Sequence, residues 1–472
     1  MGLSVFNTLS RSVEHFVPVD PKGEKVGLYC CGPTVHDFAH IGNFRTFVFA
    51  DIVRRYLTFK GFKVRYVMNI TDVEDKIIRR VNESNKSLKE YTSKYEKAFF
   101  NDLEALGCLM PDDQPHATEF IGPIIKLIKK LEERGIAYRT NDGSVYFSIE
   151  NYRKKGNSYG QLLNLNLDEM RPGKRVSSDE YEKESIADFA LWKSRVTEDG
   201  EVFWNSPWGE GRPGWHIECS AMSMELLGPS FDLHLGGEDL VFPHHEDEIA
   251  QSEGACLQCD GQKFVKYWMH GSHLLVEGKK MSKSLGNFFT LRDLLAKGFA
   301  GREVRYQMIS AHYRETFNFT LDNLGGAKTA LGRIDECTSK LRELSDGKIA
   351  SPDNSSKLIT SFIKAMDDDL NVSAAWAAVF DWVRNTNRQL AVDAIDNSTA
   401  ASELANWEQI NKVLGIQTAE QKAPAEILAL AEERQAARKN QDFARSDQIR
   451  NELSAKGWTI EDTPKGPRVK PA

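Results

Sequence analysis

Cys31, Cys219, His244 and Glu248 are of the side-chain types that hold a soft metal ion. Zinc takes thiolate, imidazole and carboxylate ligands in a tetrahedral shell, and this quartet would supply one from separate segments. His244 and Glu248 stand four apart at an expected helix start, which puts both on one face. Spacing alone does not bring the two cysteines to them. His245 and His234 read as hydrogen-bonded histidines, with His234, beside Gly236-Gly237, a pocket residue rather than a ligand. Cys30 points away from Cys31 if the strand persists through both, and is expected to pack. Cys256 and Cys259 form a Cys-x-x-Cys with no second pair elsewhere, which reads as a surface loop without metal.

A second chemistry is written in Cys31-Gly32-Pro33-Thr34 and His40-Ile41-Gly42-Asn43. These stretches follow an apolar run at residues 25–29. They lead into apolar residues at helix spacing: Phe44, Phe47, Val48, Ile52, Val53, Tyr56 and Leu57. Backbone N–H groups and the helix dipole favour negative charge at such a start, and Gly42 lets a bulky ligand approach the first turn. Residues 62–70 read as a second strand, so the unit is βαβ, the geometry of a nucleotide-binding domain. Far downstream, Lys280-Met281-Ser282-Lys283-Ser284 sits between Gly278 and Gly286. Alone it would be a solvated basic turn.

Taken in order, His40-Ile41-Gly42-Asn43 and Lys280-Met281-Ser282-Lys283-Ser284 resemble the two signatures of class I aminoacyl-tRNA synthetases, with Asn43 replacing a final His. Three more stretches are similar to those of cysteinyl-tRNA synthetases: Cys31-Gly32-Pro33-Thr34, Trp215-His216-Ile217-Glu218-Cys219-Ser220-Ala221-Met222 and Pro243-His244-His245-Glu246-Asp247-Glu248. The matches run from Cys31 to Asn287 in the family's order, and the sequence is identified as a member of that family.

The resemblance implies one Zn2+ per chain on Cys31, Cys219, His244 and Glu248, with ATP and Mg2+, L-cysteine and tRNA(Cys) as the other components. It implies activation of cysteine by attack of its carboxylate on the α-phosphorus, then transfer to the terminal adenosine of the tRNA. His40 would donate to phosphate oxygens, and Lys280 and Lys283 would offset charge on the leaving pyrophosphate, with Gly42 and Lys283 at the ATP. Asn43 can donate a hydrogen bond there but carries no charge. Thr71 and Asp239, just past two expected strands, would meet the polar ends of the substrate, and Trp215 would wall the pocket. A pocket fitted to shape separates cysteine weakly from serine, whereas a thiophilic ion admits the thiolate and disfavours the hydroxyl. No separate editing domain is then required, and selectivity should depend on pH because the thiol must lose its proton.

The elements that must position these groups follow from the chain's length of 472 residues, enough for two to four domains. The fold class expected is α/β, a Rossmann-type class I catalytic domain with an insertion, then an α-helical bundle and a small C-terminal α/β region. Residues 1–140 form the first catalytic half, 141–213 a polar, turn-rich connective insertion, and 214–265 the second half. Residues 266–320 carry the lysine-signature loop and stem-contact region, 321–420 the bundle, and 421–472 the anticodon-binding region. Helices are expected at 88–106, 121–134 and 321–344, and strands at 145–149, 231–235, 267–270 and within 457–462.

No apolar run of membrane-spanning length and no secretory signal pattern appear, and seven scattered cysteines do not form a disulfide framework. A cytoplasmic monomer with no membrane partner is expected. The net charge of −7 argues against a nucleic-acid partner only in bulk, since residues 434–470 hold nine Lys/Arg and five Asp/Glu. There the sequence resembles the family's anticodon reader, with Arg438, Phe443, Asp447 and Arg450 suited to splayed bases by stacking and edge hydrogen bonds. An amphipathic helix with Phe443 and Ile449 in its core is the plain alternative. Two other functions compete: a ligase that passes cysteine to an amino sugar, and a catalytically dead zinc- and RNA-binding module. Residues 320–472 argue against the first and the intact lysine signature against the second.

Overall fold

The computed structural model describes residues 2–163, 171–172, 185–186, 188–256, 263–281, 286–417, 424–463 and 466–471. The apolar run ahead of the first signature is strand β1 (Lys25–Cys30), followed by helix α1 (Ile41–Phe59) and strand β2 (Lys63–Met68). β1 and β2 pair in parallel from Lys25↔Lys63 to Cys30↔Met68, as a crossover helix requires. A second run contributes α2 (Trp215–Leu227), β3 (Phe231–Gly237), α3 (Glu246–Ala255) and β4 (Val265–Gly271). β3 pairs in parallel with both β1 and β4, giving the order β4-β3-β1-β2. The chain leaves β1 toward β2 on one side and returns to β3 on the other, so a crevice opens at the carboxyl ends of β1 and β3. Parallel strands covered on both faces bury successive residues, and Leu28, Tyr29, Cys30, Leu233, His234 and Leu235 are all buried.

All seven apolar residues named above for α1 are buried. They share one core with Leu331, Ile334, Phe362, Trp376 and Leu404 of the following helices. Each large apolar side chain so buried contributes about 1.5–3 kcal/mol over leaving it exposed. Polar contacts add direction. Asp51 of α1 accepts from Arg55 at 2.7 Å and from the fully buried Arg305 at 2.6 Å, while Tyr56 donates its hydroxyl to Asp367 at 2.7 Å. The helix that opens with the first signature is thereby tied to the helical region.

Between the two halves lies a five-stranded antiparallel sheet, in the order Trp204–Ser206, Gly209–Pro213, Phe189–Ser194, Val145–Phe147, Ala137–Arg139. Its central strand is buried from Phe189 to Lys193, within a stretch whose polar, turn-rich composition suggested otherwise. Ile149 begins the helix Ile149–Lys154 instead of ending the strand, because Ser148 caps it by accepting from the Asn151 N–H at 3.2 Å.

The helices Leu321–Leu344, Lys357–Asp367, Val372–Leu390 and Asn397–Leu414 start at Thr320, Ser356, Asn371 and Asp396, each of which caps with its side chain. Residues 1–416 make one compact unit and residues 417–472 another. The second contains helices Ala425–Lys439 and Phe443–Ala455 and the hairpin Trp458–Thr463 with Gly466–Pro471. Ile427, Ile449, Leu453 and Trp458 form its core. Among the described residues no helix is long and apolar enough to cross a membrane.

Candidate active site

β1 ends at Cys30, but Cys31 carries its ladder one step further by donating its N–H to Leu235 O at 3.3 Å, and the two cysteines part as alternation requires. Cys30 packs with Leu28 and Tyr66, and burial raises its thiol to about 12. Cys31 faces the opposite cluster, with Tyr29 and Cys219. α2 presents Cys219 from its second turn. The turn Val241–His245 presents His244, and the first turn of α3 presents Glu248. All four are buried, and their ligand atoms lie within 4.8 Å of one another. Cys31 Sγ is 3.8 Å from Cys219 Sγ and 3.6 Å from Glu248 Oε1, and His244 Nε2 is 3.2 Å from that same oxygen. Zinc bonds of about 2.0–2.3 Å at tetrahedral angles set ligand atoms roughly 3.3–3.8 Å apart, so this donor set fits the ion.

The charges fit as well. The hydrogen bond from Cys31, aided by His244 and opposed by burial, pulls the Cys219 thiol below its ordinary value. Burial alone would depress His244, but Cys219 and Glu248 prevail and hold it at about 10. Burial would raise Glu248, yet His234 and His244 keep it at about 2. Protein groups alone therefore favour the anionic forms of Cys219 and Glu248 and the cationic form of His244, while burial and Cys219 hold the Cys31 thiol up. A divalent cation meets the same anions with twice the charge.

A second set, Cys31, His234, His245 and Glu248, also converges. His234 Nε2 lies 3.0 Å from Glu248 Oε2, and His245 Nε2 lies 3.4 Å from Cys31 Sγ. Two thiols make the first set the softer one and the better match to zinc. His234 and His245 then stand as hydrogen-bond partners of Glu248 and Cys31. Reading the sequence missed the support behind His244: His216 Nδ1 lies 2.8 Å from His244 Nδ1, and His216 Nε2 lies 3.5 Å from Asp247 Oδ2. Tyr159 donates to that carboxylate at 2.5 Å. Carboxylate–histidine relays of this kind orient metal-binding imidazoles, and the only sequence signal was the placement of His216 and Asp247 inside the two motifs.

Trp215 is half-buried, its ring centre 4.4 Å from that of His244. Thr71 is buried in a parallel bridge with Thr34: its N–H donates to Pro33 O, its carbonyl accepts from Val35, and its hydroxyl accepts from the Asn69 amide at 3.2 Å. Asn69, which the motifs did not single out, also accepts from the Gly32 N–H at 2.9 Å. Asp239 is exposed on the short turn Glu238–Leu240 after β3.

At the start of α1 the two signatures are in contact. The Ile41 N–H donates to Phe289 O at 3.0 Å, and Phe288 stands edge-on to His40 at 5.3 Å. The space above Gly42 holds Met281, since a Cβ on residue 42 would lie 2.8 Å from its terminal methyl. His40 caps α1: its Nδ1 accepts from the Asn43 N–H at 3.2 Å, and Asn43 Oδ1 accepts from the His40 N–H at 3.1 Å. That bond leaves the His40 ring proton on Nε2. Asn43 thus has a capping role that the sequence did not reveal. Lys280 is exposed on the hairpin Leu274–Val276 with Lys279–Lys280, whose base Asn287 closes by donating to Val276 O and Lys280 O, each at 3.2 Å. Lys283 lies outside the described residues, as does Cys259.

In the unit of residues 417–472 the two readings of the basic helix divide by residue. Ile449 is core, whereas Phe443 is 62% exposed. Asp447 and Arg450 form an exposed ion pair at 3.3 Å. Arg438 is engaged by Asp462, which also holds the buried Arg434 at 2.8 Å.

The parallel sheet, its crevice and the apposed signatures belong to a class I tRNA synthetase, and residues 16–329 match the family model described as tRNA synthetases class I (C) catalytic domain. Residues 361–418 match a DALR domain. The fold resembles methionyl-tRNA synthetase of Mycobacterium tuberculosis in complex with methionyl-adenylate, with a TM-score of 0.57 over 83% of this chain and 89% of that chain, at 13% identity. Among curated proteins, the cysteine–tRNA ligase of Chlamydia muridarum is 46% identical over 484 residues, covering 100% of both chains. That of Protochlamydia amoebophila is 44% identical, over 99% of this chain and 98% of its own. This chain belongs to the cysteine–tRNA ligase family.

Proposed function

We propose that this enzyme activates L-cysteine with ATP and transfers the cysteinyl group to the 3′-terminal adenosine of tRNA(Cys), and that zinc bound by Cys31, Cys219, His244 and Glu248 selects the substrate. The observation that carries the selectivity is the convergence of those four buried donors at the carboxyl ends of β1 and β3. Held there, the ion supplies a coordination position that a thiolate fills well and a serine hydroxyl poorly.

Everything else falls to the chain. Trp215 walls the pocket beside His244, and Thr71 and Asp239 receive the polar ends of the amino acid. His40, with its ring proton on Nε2, donates to phosphate oxygens at the start of α1, where the helix dipole adds to it. Gly42 lies against the nucleotide once Met281 gives way, and ATP brings Mg2+. Asn43 acts on the ATP through His40, whose position it fixes. Lys280 and Lys283 stabilise charge on the departing pyrophosphate, as preorganised cations do at developing anions. No covalent enzyme intermediate is needed, so positioning and electrostatics supply most of the acceleration. Phe443 stacks on an anticodon base and Arg438, Asp447 and Arg450 read edges.

Pyrophosphate exchange with cysteine or serine, followed by charging of tRNA(Cys), tests the assignment. Cysteine-dependent exchange, little response to serine and charged tRNA are expected. Exchange without charging would point to a different acceptor, and tRNA binding without exchange to a module without catalysis.

A further inference from the structure

Behind Cys31 runs a file of hydrogen-bonded side chains. Cys31 Sγ is 3.4 Å from His245 Nε2, His245 Nδ1 is 2.7 Å from His270 Nε2, and His270 Nδ1 is 2.7 Å from Thr8 Oγ1. The file is built, not incidental. His245 is fully buried and His270 nearly so. Gly236 makes room for the His245 ring, since a Cβ there would stand 2.5 Å from its Cε1. Trp268 packs against both imidazoles, its ring centre 5.1 Å from that of His245 and 6.4 Å from that of His270. Thr8 is fixed to β4, its N–H donating to Trp268 O at 2.8 Å, while neighbouring Asn7 accepts from the Trp268 N–H at 3.0 Å.

The direction of the file follows from its last member. A metal-bound thiolate only accepts, so His245 must donate through Nε2. A neutral imidazole has one N–H, so His245 Nδ1 must accept from His270 Nε2. His270 Nδ1 must then accept from the Thr8 hydroxyl. All three donors point the same way, and aligned hydrogen bonds polarise one another.

We infer that Thr8, His270 and His245 form a donor relay that orients the Cys31 thiolate and draws electron density from its sulfur, tuning the metal centre for an incoming thiolate. The inference rests on the zinc reading above. These are positioning residues, and their effect is opposite to that of the relay behind His244. There the chain of partners ends on the Asp247 carboxylate and makes the ligand more basic. Weakened donation from Cys31 leaves the ion a stronger acceptor for the sulfur of the substrate. The N-terminal segment thus contributes to selectivity from three side chains away.

The test uses the full-length protein loaded with cobalt(II), which reports thiolate ligation by a sulfur-to-metal absorption band, and zinc competition against a chelator. Thr8→Val and His270→Leu should move the band to lower energy. Losing the orientation of Cys31 should outweigh its regained donation, so zinc affinity should fall about tenfold or more for His270→Leu and a few-fold for Thr8→Val, by the scale of outer-shell losses. Thr8→Ser, which keeps the hydroxyl, should match the wild type. If His270→Leu does not fold, as judged by its thermal melt, the Val and Ser variants at position 8 decide the matter. Band and affinity unchanged in Thr8→Val and His270→Leu would overturn the relay while leaving the zinc site intact. A wild-type protein with no thiolate band would overturn both.

Discussion

The buried cluster of Cys31, Cys219, His244 and Glu248 and the face formed by the two signatures both lie beyond the carboxyl end of β1, yet they are built in opposite ways. Each donor of the cluster is buried, and His244, Glu248 and Cys31 each have a histidine behind them: His216, His234 and His245. At the signature face Lys279 and Lys280 are exposed, and Asn287 holds their hairpin through the backbone carbonyls of Val276 and Lys280. The difference matches the two proposed tasks. Separating sulfur from oxygen in otherwise equal substrates needs donors fixed before the substrate arrives, because any relaxation would admit the wrong one. Stabilising a leaving pyrophosphate, the role proposed for Lys280, is served by a cation held at the surface, where an incoming nucleotide can reach it.

Breaking the cluster should have the largest effect. Cys219→Ser should lose zinc, as measured by metal analysis, and the preference for cysteine over serine in pyrophosphate exchange should fall on the order of 10³-fold. Retained zinc and retained preference would remove Cys219 from the site. Lys280→Ala should lower the rate of exchange by roughly 10²–10³-fold with zinc content unchanged, which separates the two regions. Loss of zinc in that variant would mean the regions are not independent.

A smaller effect is expected away from both. Phe443→Ala should raise the tRNA concentration needed for charging by about tenfold, within the 1–3 kcal/mol of one base stack, and leave cysteine-dependent exchange alone. Equal charging curves would return Phe443 to a structural role. Smallest is Asn43→Ala, which removes one half of the α1 cap. It should cost about 1 kcal/mol in urea unfolding and slow exchange modestly through His40, without touching zinc.

The sequence told unevenly of the two regions. The βαβ unit was plain because β1 and α1 carry clean apolar periodicities, and the opposite facing of Cys30 and Cys31 followed from strand alternation. The signatures and the quartet stood out through resemblance, since no spacing rule links Cys31 to Cys219 across 188 positions. Asn69, His216, Asp247, His270 and Thr8 went unnoticed. Each acts through a partner far along the chain, and nothing local marks a threonine in the turn after a short strand as the end of a relay to a metal ligand. The strand Phe189–Ser194 was hidden for a related reason, since turn-rich neighbours dilute a six-residue apolar run. Asn43 looked like a mere departure from a motif because a capping box is read from backbone geometry as much as from residue type.

The most direct test of the central claim is zinc X-ray absorption on the purified protein, recorded alone, with cysteine and with serine. Two sulfur and two nitrogen or oxygen neighbours are expected for the protein alone, a third sulfur with cysteine, and no change with serine. A shell with one protein sulfur, or one that cysteine leaves unchanged, would contradict it.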